Sequence, residues 1–263
     1  MSFNFKNKSF SIPFTFGILA LVFITISNIV EQIQGQKINE IAWLASLCIV
    51  ISFIIIRFYS ISGDKFTSII LESNPTGLGL HPNRYLNGLT ISFIVGLIAL
   101  IAISFNFILG MLIYLVMQLC LIYSFSGIVV YNIFNVKESP KIRLNAIISI
   151  IFWVVLVGTI YLVFVHSNNS LIVIPYVLAL GTMAHYSWYG FSYTQRSFLF
   201  RIMPMIASAF FVFSDALIGN SEYGSIQFQD LYVLIDIAYV INLFFMSQAI
   251  LFLKNERGES VLK

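Results

Sequence analysis

Residues 86–133 read LNGLTISFIVGLIALIAISFNFILGMLIYLVMQLCLIYSFSGIVVYNI, a stretch without a charged side chain. Ser104–Asn106 divides it into two apolar runs, 86–104 and 106–133. Each is close to or above the roughly 20 apolar residues that a membrane-spanning helix requires. Because so short a break barely turns the chain, the two runs predict a tight antiparallel pair of helices. The fold class predicted from this stretch is all-α and membrane-embedded.

Six more runs of this kind occupy most of the remaining chain, so the sequence predicts one transmembrane domain, 1–263, with eight spans and no soluble domain. Their predicted bounds are 10–30, 41–60, 144–165, 170–191, 200–218 and 232–253. Charged residues make up 10% of the chain, against about 25% in soluble domains. Mean hydropathy is +0.93.

The basic residues fall almost entirely into alternate connections between the runs. Thirteen of the 14 lie on one side, and Lys37 is the exception. The thirteen are Lys6, Lys8, Arg57, Lys65, Arg84, Lys137, Lys141, Arg143, Arg196, Arg201, Lys254, Arg257 and Lys263. Cytoplasmic loops are enriched in Lys and Arg. Both termini are therefore predicted to be cytoplasmic, in a multi-pass protein of the plasma membrane if the cell is prokaryotic.

This loop bias also explains the net charge of +3, so no nucleic-acid partner is predicted. The two cysteines, Cys48 and Cys120, lie inside spans without disulfide or zinc spacing, and we expect neither a metal nor a cofactor. The longest connection, residues 57–85, is predicted to hold a short interfacial helix near Lys65–Glu72, after a turn at Gly63-Asp64.

Ionisable side chains inside spans are candidates for a functional site, since their burial is costly unless they are paired or hydrated. Three stand out: His185, Asp215 and Asp236. At about 1.5 Å per residue, Asp215 lies about 6 Å and Asp236 about 7 Å below the same end of the bundle. If the two are close, one would keep its proton, which gives an acid and a base. The alternative is that both reach lipid headgroups or cap helix ends.

His185 has Tyr189 at i+4 on one helical face, which is typical of a hydrogen-bonded interfacial histidine and also compatible with a cavity. Gln118 and Gln248 are neutral polar residues inside spans. They are expected to form hydrogen bonds between helices or to line a cavity.

Residues 201–219, RIMPMIASAFFVFSDALIG, resemble the signature of the YhhN family, eight-span membrane proteins that include the lysoplasmalogenases. The penultimate helix of that family has a Phe-rich stretch of small residues that ends in Ser-Asp, which Ser214-Asp215 matches. Its last helix holds a tyrosine and an Ala/Ser-Gln pair, similar to Tyr239 and Ser247-Gln248. The resemblance implies a lysophospholipid or other membrane lipid as substrate and hydrolysis of a vinyl ether.

Two family positions differ in this chain. Leu97 follows Gly96 where the family has aspartate, and Gln118 stands where the family has histidine. Vinyl ether hydrolysis needs a proton delivered to carbon and a positioned water, which two carboxyl groups suffice to provide. Asp236 would then replace the missing aspartate beside Asp215.

The sequence is compatible with three classes of function. The first is a YhhN-like ether hydrolase, or a relative that has lost or altered that chemistry. The second is a transporter or channel that uses Asp215, Asp236 and His185. The third is a lipid-binding membrane protein without chemistry.

The predicted topology is tested by labelling single cysteines introduced at Ser221 and Ser139. A membrane-impermeant thiol reagent should reach the first from outside and the second only from inside, because the basic loops face the cytoplasm. The reverse pattern would overturn the orientation, and labelling from the same side would overturn the number of spans between them.

Overall fold

The computed structural model describes residues 7–34, 39–74, 79–130, 144, 147–151, 153–158, 170–223 and 231–263. The α-helices within them are α1 (Lys8–Gln34), α2 (Asn39–Ile55), α3 (Gly63–Glu72), α4 (Pro82–Ile103), α5 (Phe107–Ser126), α6 (Ile147–Gly158), α7 (Ser170–Gly190), α8 (Phe198–Tyr223) and α9 (Leu231–Gln248). A π-helical turn, Ile56–Ser60, continues α2, and a 3-10 turn, Ala249–Phe252, follows α9. These described residues contain no strand, only two isolated β-bridges.

Six helices are long and apolar enough to cross a membrane: α1, α2, α4, α5, α8 and α9, with α2 and α9 extended by the turns that follow them. The membrane-embedded, all-α character predicted from the sequence is confirmed at this level. Helices α6 and α7 fall within the other two predicted runs, and residues 159–165 of run 144–165 lie outside the described part of the chain.

The structure confirms one of three sequence predictions on the bounds of elements and contradicts two. The helix predicted near Lys65–Glu72 is confirmed as α3, but the turn predicted at Gly63-Asp64 is wrong, because these residues form its first turn. Run 106–133 was predicted too long: α5 ends at Ser126, where the chain turns and the Gly127 carbonyl accepts from His81 N at 2.9 Å.

Helices α4 and α5 form the tight antiparallel pair that the sequence predicted. Asn106 caps α5, since its side chain accepts from Leu109 N at 3.0 Å. Farther along, Ser124 Oγ donates to the Tyr85 carbonyl at 2.7 Å. A Cβ on Gly88 would lie 2.8 Å from Ser124 Cα, so the absence of a side chain there allows the two backbones to approach.

The long helices form a closed ring in which α1, α2, α4, α5, α7, α8 and α9 pack in that order and α9 returns to α1. Helix α9 also packs against α2, and it is the most buried of the six apolar helices. Four polar side chains of α9 therefore lie inside the bundle: Asp236, Asn242, Ser247 and Gln248.

One end of the ring, here called the basic end, is built from α3, residues 127–130, residues 191–197 and the C-terminal segment 253–263. The inner face of α3 packs Phe66, Ile69 and Ile70 into the core, which leaves its charged residues outside. The C-terminal segment returns to α3, and Ser62 N donates to the Val261 carbonyl at 2.9 Å.

Arg196 joins three of these segments from a buried position. Its Nε donates to Ser73 Oγ at 2.9 Å, and a terminal NH₂ donates to the Ile128 carbonyl at 2.7 Å. The guanidinium lies 4.2 Å from the centre of the Tyr193 ring. Burial lowers the pKa of Arg196 to about 10, which is still well above neutral pH, so the side chain carries its charge.

Replacement of Gly88 by alanine should destabilise the α4–α5 pair by about 1–3 kcal/mol, the usual cost of overpacking. The new methyl group meets backbone atoms of Ser124, which have no room to move. The measurement is thermal unfolding of the purified protein in detergent. Gly63→Ala is the matched control, because nothing lies within 4 Å of its Cβ position. Equal melting temperatures for the two variants would contradict the close approach.

Candidate functional site

The Asp215 carboxylate is directed into the bundle, between α5, α7 and α8. Its Oδ2 accepts from the Tyr176 hydroxyl at 2.8 Å and from Gln118 Nε2 at 3.3 Å. Gln118 belongs to α5 and Tyr176 to α7. They reach Asp215 because α8 packs against α7 and α7 packs against α5.

The depth predicted for Asp215 was also wrong. Helix α8 continues to Tyr223 rather than ending near Gly219, so Asp215 lies eight residues, or about 12 Å, from its last residue. Asp215 and Asp236 nevertheless lie at one level of the α8–α9 pair, because Ser214 Oγ donates to the Ile235 carbonyl at 3.3 Å. Asp236 itself is buried.

Gln118 is fully buried and uses only part of its hydrogen-bonding capacity. Its Nε2 donates to Asp215, and its Oε1 has no partner among the described residues. An unsatisfied buried carbonyl costs about 1–3 kcal/mol. Water or a hydroxyl of a ligand is the natural partner for this oxygen.

Tyr239 borders the same region from α9. Its hydroxyl donates to the Gly96 carbonyl at 3.4 Å, and its ring meets that of Tyr114 edge to face, with centroids 5.8 Å apart. The phenol is within electrostatic range of both Asp215 and Asp236. A Cβ on Gly96 would lie 2.8 Å from Met117 Sδ, so the absence of a side chain there makes room for Met117. Leu97 packs against the apolar core and supplies no polar group.

Three residues predicted for the site lie elsewhere. Gln248 is 12 residues from Asp236 along α9, about 18 Å, and its Nε2 donates to Ser52 Oγ at 2.9 Å. His185 and Tyr189 lie nine or more residues beyond Tyr176 on α7, which places them at least about 13 Å away. The His185 ring stacks on Tyr189 with centroids 6.5 Å apart, and Tyr189 meets Tyr193 edge to face. The contact of His185 with Tyr189 agrees with their i+4 spacing, and both lie in the part of α7 nearest the basic end.

Sequence reasoning missed Tyr176. The only signal was a tyrosine next to Pro175 near the start of an apolar run. Its role depends on which helix α7 packs against, and hydropathy does not contain that information. Among the residues that the structure describes, no three His, Cys, Asp or Glu side chains are placed to hold a metal ion.

These features define an all-helical protein with several membrane-spanning helices and a carboxylate held by hydrogen bonds inside its bundle. No protein-family model, curated protein or solved structure matches the chain.

Removal of the Tyr176 hydroxyl should weaken the fold by about 1–3 kcal/mol, the range for a hydrogen bond to a charged or buried partner. Thermal unfolding of Tyr176→Phe in detergent measures this loss. Tyr186→Phe, on the same helix, is the control and should unfold at the wild-type temperature. A Tyr176→Phe protein as stable as that control would show that the bond to Asp215 contributes nothing to stability.

Proposed function

We propose that this chain is a YhhN-like, eight-span membrane protein with both termini in the cytoplasm, and that it hydrolyses the vinyl ether bond of a lysoplasmalogen-type lipid. The observation that carries the proposal is the hydrogen-bonded carboxylate of Asp215. One of its two donors, Gln118, occupies the position at which the family has a histidine. The Ser214-Asp215 signature and the place of Gln118 in the bundle thus support the same site.

The contacts of Asp215 suit a group that handles a proton beside a lipid. Both donors converge on Oδ2, so Oδ1 is the oxygen that remains for water or substrate. Gln118 Oε1 offers an acceptor next to it. The apolar helices around the site match an acyl chain.

In the proposed reaction, Asp215 and Asp236 act as a pair. One carboxyl group gives its proton to the vinyl carbon distal to the ether oxygen, which leaves an oxocarbenium ion. Water adds to the carbon attached to that oxygen while the other carboxylate takes a proton from the water. The hemiacetal then breaks its C–O bond to the glycerol, and its hydroxyl proton passes to the departing oxygen. The products are a fatty aldehyde and a glycerophospho-alcohol.

The equal level of the two aspartates and the position of Tyr239 within electrostatic range of both support the pair. Acid and base must both come within hydrogen-bond reach of the substrate or of one water. A substrate or water that lies inside the bundle within reach of both carboxyl groups would meet this condition.

Purified protein should release aldehyde from a lysoplasmalogen, and Asp215→Asn and Asp236→Asn should each lower kcat by about 100-fold or more, because a group that transfers protons contributes that much. Asp64→Asn, on the exposed face of α3 at the basic end, is the control and should keep wild-type turnover. Melting temperatures check that the variants fold.

Absence of aldehyde release by the wild-type protein would sink the hydrolase proposal. If Asp215→Asn loses activity and Asp236→Asn does not, the acid–base pair is rejected, but Asp215 still has a role in catalysis.

A second candidate is a proton- or cation-coupled transporter. The transporter is favoured by buried polar side chains along α9, the most buried of the six apolar helices. These side chains are Asp236, Asn242 and Gln248. Neither side-chain amide atom of Asn242 has a partner among the described residues. Proton-coupled uptake by reconstituted vesicles, without aldehyde release, would select this function.

A further inference from the structure

A cavity of about 250 Å³ lies at the basic end, far from Asp215 along the bundle. Its walls are the last turn of α3, the connection between α7 and α8, and the C-terminal hairpin. The polar lining residues include Glu72, Gln195, Asn255, Glu256 and Arg257. It has room for about eight water molecules, which is enough for a lipid headgroup but too little for a whole phospholipid.

The hairpin that forms one wall is held in a defined conformation. Lys254 and Ser260 form an antiparallel bridge, and Gly258 turns the chain with φ of +80°. Asn255 fixes the tip, since its Oδ1 accepts from Glu259 N at 2.9 Å and its Nδ2 donates to Glu259 Oε2 at 2.7 Å. Glu256 and Arg257 are thereby presented at the mouth of the cavity.

Both acidic and basic side chains line the cavity. Within the described part of the chain, no ion pair joins Glu72, Glu256 and Arg257, although all three line the same space. Behind the wall, buried Arg196 donates to Ser73, another lining residue. Arg196 likewise has no carboxylate partner in the described chain. Two carboxylates and one guanidinium thus line the space, with Arg196 behind one wall and Glu259 bonded to Asn255 in another.

From this arrangement we propose that the cavity binds a small zwitterion with an ammonium group at one end and a phosphate at the other. Glu72 and Glu256 receive the ammonium. Arg257 binds the phosphate, since its fork of N–H donors matches phosphate oxygens, and the field of Arg196 adds to the attraction. Gln195 and Asn255 supply neutral hydrogen bonds. The ligand is either the headgroup of a phosphatidylethanolamine or a free glycerophosphoethanolamine, which share this chemistry.

The site does not depend on the proposed hydrolase, and binding measured without turnover tests it alone. Titration calorimetry with glycerophosphoethanolamine should show saturable binding to the wild-type protein in detergent. Arg257→Ala and Glu256→Gln should each weaken it by about tenfold or more, the loss expected for one charge-assisted contact. Lys65→Ala and Asp64→Asn, which remove one charge of each sign from α3 outside the cavity, are the matched controls.

Ethanolamine and glycerol 3-phosphate, each with one pole of the ligand, should bind more weakly than the zwitterion. A second arm compares nanodiscs of phosphatidylglycerol with and without phosphatidylethanolamine. A rise in melting temperature that requires phosphatidylethanolamine and is lost in Arg257→Ala identifies the lipid as the source. Binding of the free compound without such a rise identifies a soluble ligand. Absence of binding in both arms, or equal binding by cavity and control variants, would overturn the proposal.

Discussion

No water is available to peptide groups in the hydrocarbon core of a membrane, and this constraint determines how the chain can fold. Each long apolar run satisfies its backbone N–H and C=O groups inside a helix. The irregular backbone that the structure describes lies at helix ends, where side chains and neighbouring segments supply partners, as Asn106 does for α5 and the Val261 carbonyl does for Ser62. With the backbone satisfied locally, the helices pack through side chains, and only polar side chains carry chemistry into the bundle.

Small residues decide how close those side chains come. Gly88 allows the α4 and α5 backbones to meet, and Gly96 leaves space for the Met117 side chain of α5. Gly17 does the same for α1 and α9, since a Cβ there would lie 2.9 Å from the Phe244 ring. Close approach of this kind is typical of helix packing in membranes, where van der Waals contact replaces the hydrophobic driving force. It also encloses α9, and with it Asp236 and Tyr239.

Hydropathy and charge were sufficient for the class of fold, because both depend on local sequence. The α4–α5 pair and the amphipathic helix α3 followed from run length and turn residues. The end of α5 could not be predicted in this way, because the apolar residues after Gly127 continue the run. The helix ends there because Gly127 contacts the start of α4. The inward direction of the Asp215 carboxylate was expected from the cost of a charge in lipid. Its partner Tyr176 could not be predicted, because the order of the helices around the ring brings α7 against α8, and hydrophobic periodicity does not encode that order. Gln248 and His185 were grouped with the site because they are polar, although their distance along their own helices separates them from it.

Gln118 limits what the site can do with a proton. An amide donates a hydrogen bond to Asp215 but does not titrate near neutral pH, so it orients the carboxylate without relaying a proton. The Tyr176 hydroxyl bonded to the same oxygen is both donor and acceptor and carries an ionisable proton. With Leu97 apolar, a proton relay to Asp215 within the described residues therefore leads through Tyr176 or directly from substrate and water. Gln118 orients the carboxylate, and its Oε1, which has no partner among the described residues, gives the site a hydrogen-bond acceptor. The site that results is better suited to holding a hydroxyl or water beside Asp215 than to passing protons along a chain of side chains.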